Sequence, residues 1–93
     1  MLDETQVGRL VFSKAGRDAG RYYIIVSVLN DQYVYICDGD LRKIEKPKKK
    51  KVKHLNLTDI YFEEIQNSFF SRIKVNNSHI KKFLQSEDIY KEV

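Results

Sequence analysis

Residues 42 to 54, "RKIEKPKKKKVKH", hold eight basic side chains against one acid, a net charge of +7 in thirteen residues. The flanking sequence is mildly acidic. Residues 1–41 carry four basic and six acidic groups (net −2), and residues 55–93 carry five and six (net −1), so the modest overall charge of +4 hides one concentrated cationic segment. Such a segment attracts a polyanion, because every ammonium brought to a phosphate releases a condensed counterion. Protecting a sheet edge would take one or two lysines, not four in succession. The candidate phosphate contacts here are Arg42, Lys43, Lys46, Lys48, Lys49, Lys50, Lys51, Lys53 and His54.

A second basic group sits in "SKAGRDAGRYYIIV", residues 13–26, where a charged stretch punctuated by glycine turns abruptly into tyrosine, isoleucine and valine. Gly16 and Gly20 supply backbone angles, or a closeness of approach, that a side chain would forbid, so the loop can fold tightly. A tight loop presents Lys14, Arg17 and Arg21 from a fixed frame, and the planar fork of arginine suits phosphate oxygens and base edges. Asp18 is placed to orient a neighbouring arginine or to accept from backbone N–H groups of the turn. The loop is not a nucleotide phosphate loop: no Lys-Ser/Thr comes after the glycines, and the chain leads on into a strand instead of a helix N-terminus.

Catalytic chemistry finds little to use. The chain has one cysteine, Cys37, and two histidines, His54 and His79, with no metal-ligand spacing and no Ser-His, Cys-His or paired-carboxylate arrangement. The expectation is therefore a protein that is not an enzyme, with no metal and no cofactor. Cys37 lies in "YVYIC" and reads as a small core residue. The N-terminal "MLDETQVGRL" carries acids where a secretory signal would need basic residues before an apolar stretch, and no apolar run reaches 18 residues. A cytoplasmic protein that does not enter membranes is expected.

These groups must be held by one modest domain, since 93 residues at 42% hydrophobic supply a single core. The first half reads as β: "QVGRLVFS", "RYYIIVSVL" and "QYVYIC" are strands, with hairpin turns at Asn30-Asp31 and Asp38-Gly39. "LRKIEK" is expected as a short fourth strand ended by Pro47, and "KKVKHLNL" as a fifth. Five short strands protect their edges best by curling into a partly open barrel. Thr58 then reads as an N-cap, with Phe62, Ile65 and Phe69 at helical spacing behind it. "VNNSHIKKFLQ" predicts a second short helix from about residue 77 to 86, with an asparagine cap and Ile80, Phe83 and Leu84 on one side. Both apolar stripes are expected to pack on the barrel, and His79 to sit on the surface.

"GRLVFSKAGRDAGRYYIIVSVL" resembles a KOW motif, the glycine-centred β-turn-β element of certain ribosomal proteins and NusG-type transcription factors, with Gly20 in the place of the motif's glycine. "VYICDGDLRKIEKPKKKKVKHLNLT" is similar to the stretch that comes after it in the large-subunit ribosomal proteins of the L-fourteen-e type and their compact bacterial relatives. The resemblance covers about residues 6–57, and AGRDAGR, DGDLRK and KPKKKKVKHL together are more specific than the glycine motif alone. It implies an SH3-like β-barrel domain at 1–57 and a non-catalytic, ribosome-associated RNA-binding protein; the helical extension at 58–93, expected from its periodicity to pack on the barrel, lies outside the resemblance. By the same resemblance the RNA-facing loop is Lys14 to Arg21, with Lys14, Arg17 and Arg21 as contacts and Gly20 as pivot, joined by Arg42, Lys43, the Lys46–Lys53 run and His54. The implied partners are RNA, ribosomal RNA in particular, and ribosomal proteins, with no small-molecule substrate. The alternative is an SH3-like protein-interaction module of a transcription or translation factor. Tyr22, Tyr23, Tyr33 and Tyr35 either pack half-buried on the sheet or offer ring faces to bases or a peptide.

Overall fold

The computed structural model describes residues 3–63 and 76–86. Five strands form one antiparallel sheet: β1 (Arg9–Ser13), β2 (Tyr22–Val28), β3 (Tyr33–Cys37), β4 (Lys48–Lys51) and β5 (Leu55–Tyr61), in the order β4-β3-β2-β1-β5. The first four run as a meander, and β5 returns to pair with β1. Although β4 and β5 lie at opposite ends of the sheet, only the 3₁₀ turn Val52–His54 separates them in sequence. Four Cα steps span at most about 15 Å, whereas the outer strands of a flat five-stranded sheet lie about 19 Å apart. The sheet therefore has to curl, which brings its two edges towards each other.

Apolar residues line both faces. Leu10, Ile24 and Cys37 stand in register across β1, β2 and β3 and pack with Val7, Phe62 and with Ile80 and Leu84 of the helix α1 (Asn77–Ser86). Val11, Tyr23, Ile25, Val34, Ile36 and Leu55 fill the other face, inside the curl. Cys37 is buried, and burial pushes its thiol pKa up to about 12, which suits a core residue. α1 begins where the sequence predicts. Asn76 caps it, its Oδ1 accepting from the His79 N–H at 2.9 Å, and Phe83 stacks on Phe62 with ring centroids 4.4 Å apart.

The expected fourth strand is absent. "LRKIEK" lies in a loop, because Asp38 Oδ1 accepts from the backbone N–H groups of Asp40 and Arg42, both at 2.9 Å, and folds the chain back on itself instead of into a ladder. The expected fifth strand is two strands, with Lys48–Lys51 on β3 and the continuation from Leu55 on β1. At Asn30-Asp31 the connection is the four-residue loop 29–32, where Asn30 Oδ1 accepts from the N–H groups of Gln32 and Tyr33. Thr58 caps no helix. It lies within β5, its hydroxyl donating to the Leu10 carbonyl at 2.6 Å, and the strand runs on to Tyr61. The body of the first expected helix, residues 64–75, lies outside the described residues.

Candidate nucleic-acid interface

The loop between β1 and β2 is closed at its base by Ser13 N–H to the Arg21 carbonyl (2.9 Å) and Gly20 N–H to the Ser13 carbonyl (2.7 Å). Gly20 has φ +88°, and a Cβ there would meet nothing within 4 Å, so it is the backbone angle and not close approach that calls for glycine. Gly20→Val is accordingly expected to lower stability by about 1 to 3 kcal/mol, through backbone strain alone. A thermal melt beside the parent checks this, and an unchanged melt would show that the loop tolerates a side chain at that angle.

Asp18 holds the loop to β4. Its Oδ1 accepts from Lys50 Nζ at 2.7 Å and from the Ser13 hydroxyl at 3.1 Å, while Lys48 Nζ lies 3.3 Å from Oδ2 as an ion pair without hydrogen-bond alignment. Lys50 Nζ also donates to the Ala15 carbonyl at 2.7 Å. Gly16, at φ +89°, leaves room for that ammonium, which would lie 3.0 Å from a Cβ at this position. Asp18 and Lys50 are only 8% and 7% exposed. Burial alone would raise the Asp18 pKa, but hydrogen bonds from Lys50 and Ser13, the Lys48 ammonium beside Oδ2 and the Lys50 charge outweigh it and hold the carboxyl at about 2. Asp18 therefore serves lysines, not a neighbouring arginine.

Around this staple, Arg17 and Arg21 of the loop, Arg42 of the β3–β4 connection and Lys48 of β4 line a hollow of about 260 Å³ together with Asp18, Tyr23 and Leu41. Three separate chain segments thus deliver cations to one concave site. Arg21, its side chain half exposed, also lies 3.8 Å from the buried Asp38. Tyr23 forms part of the floor, its phenol pKa raised by burial and by the charges of Asp18 and Asp38. Leu41 stands at the rim, 66% exposed.

The remaining basic residues do not line this hollow. Lys14, Lys43, Lys46 and Lys53 are exposed elsewhere, and His54 is half-buried, its carbonyl accepting from the Lys14 N–H at 2.9 Å. The lysine run is divided by the pleat of β4: Lys48 and Lys50 turn towards Asp18, whereas Lys49 and Lys51 place their ammoniums 4.8 and 5.8 Å from the Tyr33 ring centroid on the opposite face. Lys50 is an internal cation. Nothing in the sequence alone brings Tyr23 or Leu41 to this hollow. Strand periodicity in "KKKK" is the one signal that separates the inward from the outward lysines.

Among the described residues no group of His, Cys, Asp and Glu could hold a metal ion, and no helix is long and apolar enough to cross a membrane. No family model matches the chain. It is 31% identical over 71 residues to "Putative ribosome-binding protein YbzG" of Bacillus subtilis (strain 168), covering 76% of this chain and 96% of that protein. It is 37% identical over 54 residues to "Large ribosomal subunit protein eL14" of Desulfurococcus amylolyticus, covering 58% of this chain and 56% of that one, so this second match spans little more than half of the archaeal protein. At 31% identity over nearly the full length of the Bacillus protein, the chain belongs to the family of KOW-containing, ribosomal-type proteins that includes both.

Proposed function

We propose that this protein is a non-catalytic, ribosome-associated RNA-binding protein, built on an SH3-like KOW domain, that docks on structured ribosomal RNA through the β1–β2 loop and the hollow beside it. The observation that carries the reading is the convergence of Arg17, Arg21, Arg42 and Lys48 on one concave site. Guanidinium groups on a rigid frame bind phosphate oxygens bidentately, and a frame held by a buried ion pair gives up little entropy on binding. Recognition of this kind reads backbone shape more than sequence, as proteins that contact structured RNA through phosphates do. A relative whose name gives ribosome binding, and another that is a ribosomal protein, support the same reading. Lys14, Lys43, Lys46 and Lys53 supply further exposed cations outside the hollow, while Lys50 acts through the loop that it holds.

Sedimentation tests this reading. The purified protein, mixed with ribosomes and spun through a gradient at low salt, is expected to travel with ribosomal particles and to move to the top of the gradient as salt rises. The Arg17→Gln/Arg21→Gln variant is expected to leave the particles at lower salt than the parent while melting at nearly the same temperature, since exposed charges add little to folding. If the parent stays at the top of the gradient at every salt concentration, ribosome association is wrong and a protein-interaction module becomes the better reading.

A further inference from the structure

We infer that the outer face of the β3–β4 pair is a second RNA contact, a platform on which two neighbouring unpaired bases stack. This rests on the RNA-binding reading above. Tyr33 pairs in register with Lys51, and Tyr35 with Lys49. The alternate residues Val34, Ile36 and Lys50 are buried on the inner face, so the two tyrosines and two lysines share the other. Cys37, next but one along the same strand, lies on that outer face in the cluster with Ile80 and Leu84 of α1, whereas Tyr33 and Tyr35 are half-buried towards the far end of the strand.

Two phenol rings and two ammoniums, with no acid among the four, suit a partner that is both anionic and aromatic. Side chains two apart on a strand are separated by about 6.6 Å, roughly twice the 3.4 Å rise per nucleotide of a stacked strand, so one ring can serve each of two bases in an extended segment. Lys49 and Lys51 already lie against the Tyr33 ring. A base taking that ring face releases the ammoniums to the phosphates on either side, as on other single-strand platforms that join a cationic track to aromatic faces. Because β4 is an edge strand, a single strand of RNA can approach this face from the side. Edge protection explains the lysines but not the tyrosines paired with them. The two surfaces divide the work: the hollow takes the backbone of structured RNA, and the platform takes a loop or bulge beside it.

The test is titration of the full chain with a fluorescently labelled unpaired oligouridylate and, separately, with a closed RNA duplex, for the parent, Tyr33→Leu/Tyr35→Leu, Tyr33→Phe/Tyr35→Phe and Lys49→Gln/Lys51→Gln. The double leucine variant is expected to bind the oligouridylate at least tenfold more weakly and the duplex as the parent does. The phenylalanine variant, which keeps the rings, is expected to match the parent on both. The lysine variant, whose changes lie at the edge and so leave the fold intact, is expected to weaken oligouridylate binding and lower its salt slope by about two units. Oligouridylate binding unchanged in both the leucine and the lysine variants overturns the platform. So does a phenylalanine variant as weak as the leucine one, since hydroxyl contacts and not stacking would then be at work. If the platform variants bind as the parent while Arg17→Gln/Arg21→Gln loses the duplex, the platform fails and the RNA-binding reading stands. If the parent binds neither RNA, both fail.

Discussion

Asp18→Asn is expected to lower stability by about 3 kcal/mol, more than a change at any exposed charge of this chain, because it leaves the Lys50 ammonium buried without its anion and two lysines facing each other. For a domain of this size the melting temperature is expected to fall by on the order of 10 to 20 °C. The double variant Asp18→Asn/Lys50→Met removes the orphaned charge and is expected to recover most of that loss, whereas two independent surface changes would simply add. Chemical denaturation of the parent, both single variants and the double variant measures the coupling. A loss below about 1 kcal/mol for Asp18→Asn would mean that water screens the pair, and that it holds no loop.

The same group makes stability depend on pH in a definite direction. The Asp18 carboxyl titrates at about 2 in the folded protein, against 3.8 for an unperturbed aspartate. A depressed folded-state pKa contributes stability that is complete above about pH 4 and is lost as pH falls towards 2, here on the order of 2 kcal/mol. Asp18→Asn should flatten the acid limb of the stability profile in that window. An acid limb as steep in the variant as in the parent would assign the effect to other carboxylates.

Gly39→Ala carries the second large effect. A Cβ at Gly39 would collide with the Asn77 carbonyl oxygen and lie 3.0 Å from the Lys81 backbone nitrogen, and the glycine has φ +78°. Neither neighbour is the loose end of a side chain, so the backbone of α1 must move. The first turn of α1 is fastened to the same loop by Asn77, whose Oδ1 accepts from the Ile44 N–H at 2.7 Å and whose Nδ2 donates to Glu45 at 2.8 Å. A single methyl group is therefore expected to cost about 3 kcal/mol or more, from backbone strain and the repacking of a helix whose Ile80 and Leu84 are core residues. Amide exchange across residues 77–86 is expected to speed up, and because Leu41 and Arg42 belong to the same loop, RNA binding should weaken as well. A variant that melts like the parent with α1 equally protected would show that the helix is not seated on Gly39.

The parts legible in the sequence are those set by local rules. The first three strands arise from β-branched and aromatic runs, and α1 from an asparagine cap with Ile80, Phe83 and Leu84 on one stripe. Contacts distant in sequence decide the rest. "LRKIEK" has strand-like composition, yet Asp38 binds the amides of its own loop and Asn77 takes the N–H of Ile44, 33 residues away, so no ladder forms. Thr58 has the composition of a cap, but a free edge of β1 is available to pair with its segment. The four consecutive lysines look like one cationic patch in the linear sequence. Pleating sends two of them to Asp18 and two to Tyr33, and only the fold shows that one is buried.

The most direct measurement is the salt dependence of binding to a structured ribosomal RNA fragment, for the parent and for Arg17→Gln/Arg21→Gln/Arg42→Gln. For the parent, log K is expected to fall with log salt by about three to four units, as four cations around the hollow neutralise about four phosphates. The triple variant is expected to fold normally, to bind more weakly at low salt, and to lose about three units of slope. A triple variant with the affinity and the slope of the parent would contradict the assignment, and would place the RNA-binding surface somewhere other than the loop and hollow beside β4.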